Sequence, residues 1–148
     1  MEQQRDKGLL VLRVGIGIMF MSHGFPKVIG GPESWSGLGS VMTDLGFGYA
    51  PTLMGFIAAM SEFGGGLFLA LGLFTRTSSF FLMMTMIVAT LMHVTQGDSF
   101  GRYSHALEAA ILFFSLLLIG PGTLSLDSII FNKSKLPEDD LNKSSSED

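Results

Sequence analysis

Residues 51–75 read PTLMGFIAAMSEFGGGLFLALGLFT. The run is apolar almost throughout, and as a helix it reaches roughly 36 Å, enough to cross a bilayer with some tilt. One acid, Glu62, stands near its middle. A charge at that depth costs about 2.5–3.5 kcal/mol on insertion scales, so Glu62 should face protein and hold a partner. Gly55, Ala59, Glu62 and Gly66 recur at spacings of four, three and four. They share one helical face, where small residues let a neighbouring helix approach. The stretch is therefore predicted to be a membrane-spanning helix whose packed side carries the acid.

Composition supports a membrane setting. Of 148 residues, 47 % are apolar and 15 % charged, against about 25 % charged in soluble domains. The charges cluster before residue 14, at a few loop positions and after residue 132, leaving several long apolar runs. The length suits one domain. The sequence contains no cysteine, which excludes a disulfide, a thiolate metal site or a dithiol redox centre within this chain. The net charge of −4, half of it from the carboxyl-terminal tail, speaks against a nucleic-acid partner.

Upstream, Gly8–Phe25 is a first apolar run behind a polar start carrying Arg5 and Lys7. A signal peptide also begins this way, but Arg13 interrupts the run and no small-x-small cleavage site follows, so a retained helix is expected. Ser22-His23-Gly24-Phe25-Pro26-Lys27 is expected to end it, because proline disfavours helical geometry at the residue before it. His23 and Lys27 share a face only if the last turn persists. An interfacial histidine and a snorkelling lysine are the plainer alternative. In the glycine-rich residues 28–50, Trp35, Leu38, Val41, Met42 and Leu45 recur at three- and four-residue spacing. They predict a short amphipathic helix in the headgroup region with Trp35 as anchor.

Downstream, Arg76 and Thr77 are expected to form a short turn, followed by a third span to about Thr95. Met83, Met84, Met86 and Met92 read as packing filler there rather than a metal-binding face. A fourth span is expected from Tyr103 or Ser104 to Gly120-Pro121-Gly122, with His105 and Glu108 on one face. Leu124–Phe131 could form a short interfacial helix, and Asn132–Asp148 is expected to be a disordered polar tail. The fold class is thus all-α: a polytopic bundle of four transmembrane helices with an amphipathic segment in the first loop, spanning residues 1–131.

Four spans put both termini on one side, with Arg5, Lys7, Arg76, Lys133 and Lys135 there and Lys27 and Arg102 opposite. The positive-inside rule makes the termini cytoplasmic. Arg13 and Glu62 then lie at matching depth, each roughly ten residues from the outer end of its span, about 15 Å. An Arg13–Glu62 ion pair is the simplest arrangement. Above it His23, Lys27, His93, His105 and Glu108 gather at the outer helix ends. Four readings of this polar column remain open. It could be a network that fixes helix register, a ligand or quinone pocket, a proton path, or a metal site from His93, His105 and Glu108. The last lacks a tight His-x-x-His or paired Glu-x-x-His pattern.

Arg13, His23-Gly24 and Lys27, then Glu62, Gly64-Gly65-Gly66, Leu71-Gly72-Leu73 and Thr75-Arg76, form a distinctive set. His93, Ala106-Leu107-Glu108, Gly120-Pro121-Gly122 and Ser125-Leu126-Asp127 extend it. With these features the chain resembles, over about residues 8–130, the DoxX family of small bacterial and archaeal membrane proteins. The resemblance implies a four-helix protein of the cell (inner) membrane. Some members are similar to the membrane component of thiosulfate–quinone oxidoreductases. Others are linked to a membrane oxidoreductase complex with superoxide dismutase and sulfurtransferase partners. Two functional expectations follow: a quinone- or redox-associated membrane subunit, or a non-enzymatic scaffold that anchors a partner complex. The partners expected are the lipid bilayer and either oxidoreductase subunits or further copies of the chain.

Overall fold

The structure, a computed structural model, describes residues 2–46 and 49–132. Apart from Asn132, the tail expected to be disordered lies outside the described residues, as do Lys133 and Lys135. Six helices and no strand form among the described residues: α1 (Glu2–Ile29), α2 (Gly31–Asp44), α3 (Pro51–Leu71), α4 (Thr75–Thr95), α5 (Phe100–Ile119) and α6 (Leu126–Asn132). Four of them, α1, α3, α4 and α5, are long and apolar enough to cross a membrane. Large apolar side chains such as Ile18, Phe80, Ile111, Phe114 and Leu118 stand on the outside of the bundle. Surfaces of that kind are stable against lipid and not against water.

α3 is the most enclosed span, 39 % of it buried against 22 % for each of the others. Its glycines explain why. A β-carbon on Gly17 of α1 would lie 2.6 Å from the Gly66 carbonyl oxygen, and one on Gly24 would lie 2.8 Å from the Phe63 Cα. The two backbones touch, as small residues permit. Further along, the backbone of Trp35 in α2 meets Gly55, and that of Pro51 meets Gly39. Positions 17, 24, 35 and 39 thus face progressively earlier positions of α3. Helices α1 and α2 run one after the other along the same side of α3, antiparallel to it. The amphipathic segment of the first loop is a helix, as its spacing predicts. It continues the path of α1 along α3 and does not lie flat across the bundle end. Trp35 donates its indole N–H to the Lys27 carbonyl at 2.9 Å and stacks edge-on against Phe56.

The first helix does not stop at Phe25. It passes through Pro26 to Ile29, and the Gly30 amide bonds back to the Pro26 carbonyl at 3.0 Å. Proline in a helix interior costs about 3 kcal/mol. The Lys27 and Trp35 contacts hold this turn in spite of that. The α3–α4 connection likewise differs from expectation. The turn is Gly72–Phe74, and Arg76 and Thr77 already belong to α4. α5 begins at Phe100, one turn earlier than its apolar pattern suggests. Leu9, Leu69, Leu82, Met86, Phe113 and Leu116 form the main core, with Met83 packed against it. Phe20 meets Phe113 edge-to-face at 4.8 Å and joins α1 to α5.

Candidate functional site

The expected Arg13–Glu62 ion pair does not form. Lys27 takes Glu62 instead: its Nζ lies 2.6 and 2.5 Å from the two carboxylate oxygens. The reason is register. Gly24 against Phe63 brings the end of α1, not its middle, to the level of Glu62. Arg13 lies fourteen residues before Lys27, about 21 Å back along the same helix. The Glu62 side chain is 4 % exposed and that of Lys27 34 %. Lys27 lies in the last turn of α1, as expected, and from there reaches the middle of the central span.

Arg13 is fully buried at the opposite end of the bundle, where its Nη2 donates to the Leu124 carbonyl at 2.5 Å. Its guanidinium lies against Gly72, whose φ of +68° and crowded α-carbon both exclude a side chain. Beside it, Asp127 accepts the Phe74 and Thr75 amides at 2.7 and 2.9 Å. Those are otherwise unpaired donors at the start of α4, where a carboxylate also complements the helix dipole. Asp6 accepts the Thr123 hydroxyl. The Leu71-Gly72-Leu73, Thr75-Arg76 and Ser125-Leu126-Asp127 motifs thus meet in one structural clamp, away from the rest of the column.

The other six candidates line one cleft. It encloses about 700 Å³ between α1 and α5, and His23, Lys27, Glu62, His93, His105 and Glu108 all face it, with Arg102 at its rim and Met86 and Leu112 among its apolar walls. His23, His105 and Glu108 are exposed there and form no side-chain hydrogen bond among the described residues. Also among the described residues, no three His, Asp or Glu side chains come close enough to share a metal ion, so the His93–His105–Glu108 arrangement is not formed.

Asp98 was not legible as a site residue, although it orders the rim. Its carboxylate bonds His93 Nδ1 at 2.7 Å and Arg102 Nη1 at 3.0 Å. The His93 bond first, and then Arg102, hold the Asp98 carboxyl below the usual carboxylate range. An ionised carboxylate only accepts, so Nδ1 carries the donated proton. Nε2 of the neutral ring is then an acceptor. The spacing of Asp98 four before Arg102 and five after His93 is the signal that points to it.

A second cavity of about 730 Å³ lies between α2, α3 and α4. It is mostly apolar, with Met42, Met54, Met84 and Met92 around it and the Ser61–Thr85 hydroxyl pair, 3.1 Å apart, on its floor. Lys27, Glu62, Met86 and His93 line both cavities and so form their common wall.

The family model described as DoxX matches residues 8–95. The chain is 30 % identical over 136 residues to the inner membrane protein YqjF of Escherichia coli, covering 90 % of this chain and 99 % of the relative. It is 31 % identical over 127 residues to the E. coli inner membrane protein YphA, covering 80 % and 87 % respectively. A Bacillus subtilis protein named "Putative oxidoreductase CatD" is 27 % identical over 135 residues, covering 91 % and 96 %. No solved structure matches the chain. With four lipid-compatible helices and a family match over more than half its length, this chain belongs to the DoxX family.

Proposed function

We propose that the chain is a quinone-binding, redox-associated subunit of the cell membrane. The observation that carries this reading is the common wall: a lysine, a carboxylate and an oriented histidine stand at the junction of a polar cleft and an apolar cavity. Sites for lipid-soluble ligands combine apolar walls with a few convergent polar groups. Lys27 would donate to a carbonyl oxygen of the quinone, and His93 Nε2 would accept from the hydroxyl of the quinol. A bound quinone supplies two-electron, two-proton chemistry. His93 Nε2 would take the proton that the quinol releases and pass it on. His23, His105 and Glu108 then offer the proton a route along the cleft. Glu62 holds Lys27 in place. Electrons come from a partner, since a chain without cysteine has no thiol couple of its own. The name of CatD supports an oxidoreductase setting.

The test uses Trp35, the sole tryptophan, which bonds the Lys27 carbonyl. Purified protein titrated with a tail-less benzoquinone or naphthoquinone should show saturable quenching, weakened about tenfold by Lys27→Met. Absence of saturable quenching, with an unaltered quinone pool in a deletion strain, overturns the reading. The ion pair itself favours a second reading, a scaffold whose polar groups only fix register. Under that reading the charge-free double variant keeps every activity.

We also propose that residues 1–131 form the membrane domain, with 132–148 as its tail and both termini cytoplasmic. Arg5, Lys7 and Arg76 support this orientation. Because the chain has no cysteine, a single cysteine at Gly97 should react with an impermeant maleimide added outside intact cells, and one at Ser128 should not. The reverse pattern inverts the topology.

A further inference from the structure

The apolar cavity has a shape and a direction. α3 forms its floor, α2 one wall and α4 the other. α2 and α4 each pack on α3 with little contact between them, so the cavity is a slot between two helices. Along α4 it runs from Phe81 to His93, twelve residues or about 18 Å. Gly37, Ala58 and Ala89 leave room in it, while methionines line much of the remainder. Methionine adapts to irregular apolar partners. Polar groups are confined mainly to Lys27, Glu62 and His93 in the common wall and to the hydroxyls near them. Its lining is largely apolar side chains, and a ring alone would leave it unfilled.

We propose that the slot takes the isoprenoid chain of a lipid-soluble quinone, which enters sideways between α2 and α4 with its ring end at Lys27 and His93. This rests on the quinone reading above. It assigns the two cavities separate work: the slot receives the lipid-soluble ligand, and the cleft behind the Lys27–Glu62 wall carries water and protons. Ligand and protons then approach the same pair of side chains from opposite faces.

Two blocking variants test it. Gly37→Phe adds a side chain where a β-carbon meets nothing within 4 Å, so the helix accepts it and the ring fills the slot. Ala89→Phe blocks the opposite wall. Wild type and variants in phosphatidylcholine nanodiscs are titrated with one quinone ring carrying several isoprene units and with the same ring carrying none, read by Trp35 quenching. Each comparison is between proteins for one ligand, so partition into lipid cancels. The expected result is about tenfold weaker binding of the tailed quinone by both variants, with the tail-less ring unchanged. Equal affinity of wild type and both folded variants for the tailed quinone overturns the slot while leaving the quinone reading standing. Loss of both ligands in a variant with an unchanged melting temperature also overturns it, because the slot would then hold the ring. No binding of either ligand to wild type overturns both readings.

Discussion

Lys27→Met should be the most damaging single change near the centre of this bundle, and the structure sets its size. Glu62 has a 4 % exposed side chain, and its carboxylate oxygens lie 2.5–2.6 Å from the Lys27 ammonium. Removing the ammonium leaves a carboxylate buried without a counter-charge, which costs about 3–5 kcal/mol. The reverse change is gentler. In Glu62→Gln the ammonium remains, 34 % exposed at the cleft, where water can solvate it, and the loss is that of a charge-assisted hydrogen bond, about 1–2 kcal/mol. Lys27→Met with Glu62→Gln removes both charges and should return to within about 1 kcal/mol of wild type. Arg13→Gln should add independently to Glu62→Gln, within about 0.5 kcal/mol, because the two sites share no partner. Reversible unfolding in mixed micelles, followed by circular dichroism, gives all the required differences. Equal losses from the two single changes, strict additivity in the double variant, or strong coupling between Arg13 and Glu62 would refute this account.

Three further outcomes are expected. Asp127→Ala removes the acceptor of two amides at the start of α4 and should cost about 1–2 kcal/mol, with faster hydrogen exchange at Phe74 and Thr75. Gly72→Ala should be more harmful than Gly97→Ala by at least about 1 kcal/mol. Both positions have positive φ, but only at Gly72 does the new β-carbon strike Arg13, whereas Gly97 faces open space. Asp98 has a lowered pKa in the folded chain, chiefly through His93. Its stabilisation of the rim is present above its unfolded value of about 3.9 and is lost as pH falls through the lower folded value. Infrared titration should find the carboxylate still ionised below pH ~3.9, and Asp98→Asn should abolish that acid-range transition.

The spans were legible because lipid demands long uninterrupted apolar runs, and four such helices are present. The requirement that Glu62 face protein and hold a partner was legible for the same reason. The identity of that partner was not. It depends on how far α1 slides along α3, which is set by backbone contact at Gly17 and Gly24. Counting residues from assumed helix ends missed this, because Pro26 was read as a stop and α2 as lying across the bundle end. Six of the seven candidate side chains still share one cleft, since five of them lie toward helix ends, a placement that survives a slide of a few residues, and Lys27 brings Glu62 to them. Asp127 was legible only as part of a motif and not as a cap, because the helix it caps begins 52 residues earlier, and local spacing carries no sign of such a link.

That long-range cap has a consequence for biosynthesis. Chains emerge amino end first, so the α3–α4 hairpin is in the membrane before the segment that finishes it has been translated. The carbonyl that receives Arg13 belongs to Leu124, and the carboxylate that closes the hairpin to Asp127. Until the ribosome has delivered that last stretch, this end of the bundle holds a stranded guanidinium and bare amides. Premature termination just after α5 would therefore leave every membrane crossing present and the assembly unlatched, a form suited to recognition by quality-control proteases.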